Sequence, residues 1–194
     1  MKTKLLLGLA LVLSGGLFGC STISPRPSLG SHQSGPVTDG LQMSLSISMI
    51  NPINPDFKVA MRNVGDKDFC LNLGMMLANG KVMIPDKIHL ILADSSGKRQ
   101  ELDFVDRRFA GIAGRREDYV VPLKSGSAYT LELRLDQCVS STTGDAVKLK
   151  PGRHEISARF QGDGATTSNL DMDGMKLMNF WKGKLQSNVV VIVE

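Results

Sequence analysis

The chain has 194 residues, with 23 Lys and Arg against 19 Asp and Glu and 42% hydrophobic residues, which suits one globular domain. Two of the cations, Lys2 and Lys4, stand at the N-terminus, so the remainder carries only about +2 and lacks the clustered basic face that nucleic acid requires. No nucleic-acid partner is expected.

Lys2 and Lys4 introduce an apolar run, Leu5–Leu13, that ends at Ser14-Gly15-Gly16. A membrane-spanning helix needs roughly 20 apolar residues, so the run reads as the core of a secretory signal peptide covering residues 1–19. The stretch "GLFGCS" then places Cys20 behind the small Gly19. It resembles the lipobox of bacterial lipoproteins, with Phe18 where that family usually has a small or branched residue. The resemblance implies that Cys20 receives a diacylglyceryl group and becomes the first mature residue. Ser21, where inner-membrane members often carry Asp, implies an outer-membrane address. Burying acyl chains is worth about 0.8 kcal/mol per methylene, so two or three of them hold a protein firmly on the envelope.

Residues 20–39 are rich in Ser, Gly and Pro and show no apolar period. They read as a flexible tether, and His32 within them as a bystander. The folded domain is expected over 40–194.

From Leu41 the apolar period becomes two. Leu41, Met43, Leu45, Ile47 and Met49 alternate with Gln42, Ser44, Ser46 and Ser48, the signature of a half-buried strand. The pattern returns at Phe57, Val59 and Met61, and at Ile88, Leu90 and Leu92. It returns again at Tyr129, Leu131, Leu133 and Leu135, and at Ile156, Ala158 and Phe160, where Glu155, Ser157 and Arg159 should face water. Turn residues separate these runs, as at Asn63-Val64-Gly65-Asp66, Asn79-Gly80, Ser95-Ser96-Gly97, Lys124-Ser125-Gly126 and Pro151-Gly152. The last segment, "SNVVVIVE", is apolar at successive positions and reads as a closing strand buried on both faces. The expected fold is all-β, an antiparallel β-sandwich of about 8–9 strands.

Of the three cysteines, the lipobox resemblance takes Cys20. That leaves Cys70 and Cys138 as an even pair in an oxidising compartment, where a disulfide is expected. Closing so long a loop would contribute roughly 4 kcal/mol in the chain-entropy picture. A redox role has less support, since no Cys-x-x-Cys occurs.

The runs "FKVAMRNVGDKDF", "LKPGRHEISARF" and "FWKGKLQSNVVVIVE" resemble pieces of the immunoglobulin-like domains of bacterial envelope proteins. The shared features are an Asn-x-Gly turn after an early strand, a Pro-Gly turn before a late one, and Ser-Asn opening the last. Trp181 lies after both cysteines rather than between them, and Cys138 falls beyond its strand, so the inter-sheet disulfide of antibody domains is not implied.

Motifs of catalysis are lacking: there is no Gly-x-Ser-x-Gly, no His-Glu-x-x-His and no phosphate-binding Gly-x-x-x-x-Gly-Lys. His89 and His154 are the histidines of the domain. His154 shares the strand face of Ile156 and Phe160, which suits a hydrogen-bonded core or rim residue better than a base. The segment "DRRFAGIAGRRED", 106–118, reads as a long loop carrying Arg107, Arg108, Arg115 and Arg116. Such loops are often functional, and this one could bind an envelope protein or glycan or present arginine to a trypsin-like protease. Asp103, Asp106, Glu117 and Asp118 balance its charge, however, and also fit a solvated hairpin. Met172, Met175 and Met178 are spaced as soft copper ligands, but methionine fills cores throughout this chain. Asp163, Asp171 and Asp173 lack the spacing of a calcium loop. No cofactor and no metal are expected. The sequence therefore points to a non-catalytic, lipid-anchored envelope protein acting as a binding or structural module, with protease inhibition or an unrecognised enzyme site as alternatives.

Overall fold

Alternation of apolar and polar residues forces each strand to turn one face inward, and here the inward faces meet in one continuous core. The computed structural model describes residues 33–49, 54–77, 80–105, 116–165, 174 and 178–193. The expected signal peptide, Cys20, most of the expected tether and Arg107, Arg108 and Arg115 lie outside these residues, as do Met172, Met175, Asp171 and Asp173.

The described residues are all-β, arranged as an antiparallel sandwich. In chain order the strands are β1 Val37–Thr38, β2 Leu41–Met49, β3 Asp56–Asn63, β4 Phe69–Leu77, β5 Val82–Ile84, β6 Ile88–Ala93 and β7 Arg99–Phe104. They continue with β8 Arg116–Leu123, β9 Ala128–Arg134, β10 Cys138–Ser140, β11 Arg153–Gly162, β12 Gly183–Gln186 and β13 Val190–Val193. One sheet runs β1-β2-β3-β9, a second β5-β4-β8, and the third β10-β7-β6-β11 with β12 and β13 on the far edge of β11. The expected strands are present. The surplus over the expected number consists of short pieces such as β1, β5 and β10, too brief for alternation to reveal.

The fold also begins before residue 40. Gly35 is buried, its amide donates to the Met43 carbonyl at 2.8 Å, and β1 pairs with β2 from Val37.

The strand β2 touches β11, β12 and β13, and β4 touches β11. Leu41, Met43, Phe57, Val59 and Met61 from the first sheet join Ile88, Leu90, Ile156, Ala158 and Phe160 from the third, all essentially inaccessible. Burying each large apolar side chain is worth about 1.5–3 kcal/mol, so this shared interior is the main source of stability. Trp181 closes one end, stacked on Phe160 with ring centroids 5.6 Å apart. Gly162 and Gly183, paired across β11 and β12, make the slot for its indole, and a Cβ at Gly162 would run into the ring.

Buried polar groups serve as struts. Asn63 is fully buried in its turn. It donates to the carbonyls of Lys67 (2.8 Å) and Leu123 (3.1 Å) and accepts the Gly65 amide (3.0 Å). Asn188 ties the far edge of β11 to the first sheet, with Oδ1 accepting the Leu45 amide at 2.8 Å and Nδ2 donating to the Leu45 carbonyl at 3.0 Å. Beyond it the closing strand departs from expectation. Ile192 is buried, but Val189, Val191 and Val193 are 50%, 44% and 74% exposed, because β13 is an edge strand with one face covered.

Two further expectations are corrected here. Cys70 and Cys138 form no disulfide; both are free thiols. Cys70 lies on β4 opposite Pro122, whereas Cys138 lies on β10 opposite Phe104 with Sγ 3.5 Å from the Arg134 carbonyl. They belong to different sheets, and an even count in an oxidising compartment carries no information about that placement. The segment 116–118 is not loop: Arg116 is the exposed first residue of β8, opposite Leu77, and Asp118 is buried, accepting from Asn72 Nδ2 at 3.2 Å.

Candidate functional site

The β6–β7 hairpin is fixed by its turn. Asp94 Oδ1 accepts the Ser96 amide (2.9 Å), the Ser96 hydroxyl (2.6 Å) and the Lys98 amide (3.0 Å), bonds that hold its carboxyl below the usual carboxylate range. That anchor sets the register His89 opposite Asp103 and Ile91 opposite Glu101. Because strand residues two apart share a face, Glu101 and Asp103 both stand on the outer face of the third sheet. Leu90, Leu92, Leu102 and Phe104 fill the inner one.

Across this face runs one row of paired residues: Val139, Asp103, His89, Arg159 and Gln186 on β10, β7, β6, β11 and β12. Within it His89 Nδ1 lies 2.8 Å from Asp103 Oδ1 and 3.4 Å from Glu101 Oε1. The same Glu101 oxygen accepts from Arg159 Nη2. Two carboxylates converge on Nδ1, which places the imidazole proton on that nitrogen. The imidazole is about one-fifth exposed, so the cluster opens to solvent instead of sitting in a dry cavity. Nearby, burial pushes the Asp86 carboxyl up, an effect partly offset by Lys87, Arg116 and His89 and reinforced by Asp118.

His154 stands on the other face of the same sheet, in register with Ile192. It is buried, with Nε2 2.7 Å from the Lys150 carbonyl, so that nitrogen carries the proton and donates it. Its Nδ1 has no hydrogen-bond partner among the described residues. This is the core histidine the alternation implied.

Other reactive groups are engaged in the fold. Burial, helped by Asp136 and Asp103, pushes the Cys138 thiol up to about 12, and burial raises Cys70 as well. Tyr119 and Tyr129 join hydroxyls at 2.5 Å, and burial followed by that bond raises Tyr119. An open cleft of about 430 Å³ is floored by Phe69, Phe180 and Trp181. The indole N–H there is already directed at the Thr38 and Asp39 carbonyls, 3.3 and 3.2 Å away. Of the four loop arginines, Arg116 alone falls within the described residues, and the structure brings it to the start of β8. The His89 cluster was not legible as a motif, since its parts lie 12 and 14 residues apart and meet only through the hairpin register.

No family model matches the chain, and no curated protein matches it. Among solved structures it is similar to beta-glucosidase 3B from Thermotoga neapolitana in complex with glucose. The identity is 12% and the TM-score 0.29, over 76% of this chain and 16% of that one. A likeness so distant, spanning a small part of the other protein, decides neither fold nor activity.

Proposed function

We propose that this chain is a bacterial envelope lipoprotein, held at the outer membrane by a lipid on Cys20, whose β-sandwich acts without catalysis as a binding or structural module. The observation that supports binding is that β13 pairs, among the described residues, with β11 alone and exposes Val191 and Val193. Strand edges exposed to solvent are ordinarily guarded by charge, Pro or brevity, because unpaired backbone groups invite another strand. The two strands sharing the far edge of β11 differ in this respect: β12 carries Lys184 and follows Lys182, whereas β13 reads Val-Val-Ile-Val and, among the described residues, pairs with β11 alone. The occupant that fits is an extended segment of an envelope protein, added as a strand along β13 with apolar residues facing Val191 and Val193.

A photo-crosslinking residue placed at Val191 in the lipidated protein, in cells, tests this. The expected result is one recurrent envelope protein, attached through one extended peptide segment on mass spectrometry. The same probe at the exposed Lys58, on the outer face of the other sheet, should not attach it. Adducts equal at both positions, or none at Val191, would remove the edge from consideration. For the anchor, Cys20→Ser should release the protein from the membrane fraction, and retention would contradict lipid attachment.

A further inference from the structure

We propose that His89, Glu101 and Asp103 form a binding site for a divalent first-row transition ion of the zinc class on the outer face of the third sheet. This goes beyond the binding-module reading and does not depend on it. One imidazole nitrogen and one oxygen from each of two carboxylates lie within 4.8 Å of one another. Imidazole with carboxylates is a borderline donor set suited to zinc and its neighbours, unlike the all-oxygen sets of calcium or magnesium.

Both separations from the imidazole nitrogen are near those a zinc ion needs. Zinc bonds to N and O of about 2.0–2.2 Å put tetrahedral ligand atoms about 3.3–3.5 Å apart. His89 Nδ1 is 3.4 Å from Glu101 Oε1 already. Its 2.8 Å separation from Asp103 Oδ1 needs to open by about half an ångström, within the reach of a side-chain rotation, for the hydrogen bond to become joint ligation. The ion takes the place of the Nδ1 proton, which exchanges through solvent to Nε2, so that the ring ligates as a neutral imidazole through the Nδ1 lone pair. Two carboxylates balance its double charge, and the fourth position faces water because the cluster is open on that side.

Among the described residues Arg159 is the cation that holds one of these ligands. Its guanidinium holds the Glu101 oxygen that also faces His89, so it must yield that oxygen when the ion enters. The arrangement makes Arg159 a competitor: removing it should tighten binding, whereas in a purely structural ion-pair cluster its loss would create no site.

The test is zinc titration by calorimetry, with cobalt absorption as the reporter of tetrahedral ligation. It uses the untagged mature chain carrying Cys20→Ser to keep it in water. One zinc per chain is expected. Loss of an outer partner alone typically costs 10–100-fold in affinity, so His89→Gln and Asp103→Asn should each weaken binding by at least about 100-fold. Arg159→Ala should strengthen it, and His32→Ala should leave it unchanged. If His89→Gln proves unfolded, Asp103→Asn and Arg159→Ala decide between them. Absence of zinc binding, or binding indifferent to Asp103→Asn and Arg159→Ala, overturns the site.

Discussion

His89 and His154 belong to the same sheet and point to opposite sides of it. On the inner side His154 is wrapped by the core, donates one proton to a backbone carbonyl and keeps a second nitrogen without a partner among the described residues. On the outer side His89 stands between two carboxylates, partly open to water. The difference teaches that strand parity sets which face of this sheet packs the core, while burial on the outer face varies by position: Ser157 there is buried and His89 is partly open. Arg159, paired with His89, marks the outer side, while Ile156 and Phe160, two and six residues beyond His154, mark the inner.

Substitutions on the inner face should therefore be felt as stability and those on the outer face as ligand binding. Phe160→Ala removes a fully buried ring that also supports Trp181, and should cost about 3–5 kcal/mol in chemical denaturation. A loss under about 1 kcal/mol would mean the core extends less far than the packing indicates. His154→Ala leaves the Lys150 carbonyl without its donor and should cost about 1–3 kcal/mol. On the outer face His89→Gln breaks a partly exposed ion pair and should change stability by about 1 kcal/mol or less. A larger loss would make the cluster a structural device.

The buried thiol acts only under alkaline conditions. The Cys138 pKa is raised above its unfolded value, so the stability linked to it is complete below pH 9.0 and drains away as pH rises toward about 12. Tyr119, also raised, acts in the same direction. Denaturation midpoints should fall over that window, less steeply in Cys138→Ala. In the native protein Cys70, the less buried thiol, should alkylate before Cys138.

Much of the architecture was legible from alternation. Leu41, Met43, Phe57, Val59, Ile88, Leu90, Ile156 and Phe160 all point inward as their spacing demanded, since parity is a local property of the chain. What alternation did not carry is which strand neighbours which. Cys70 and Cys138 were paired by count and compartment, yet sheet topology puts them apart. "VVVIV" was read as doubly buried, but whether β-branched residues meet a second layer depends on their position in the sheet, and at an edge they do not. Asp118 falls in an arginine-rich stretch that reads as a long loop or a solvated hairpin, yet it is buried opposite Met75, where the β4–β8 register shifts, and accepts from Asn72. The His89 cluster was missed for the same reason, because its ligand set exists only once Asp94 has fixed the hairpin register.

The most direct test of the two-face account is a side-chain nitrogen spectrum of both domain histidines in the folded protein, recorded before and after addition of one equivalent of zinc. The Nδ1 resonance of His89 should move from protonated to metal-bound while both nitrogens of His154 stay in place. An unmoved His89, or a His154 that responds as strongly, would contradict the assignment of binding to the outer face.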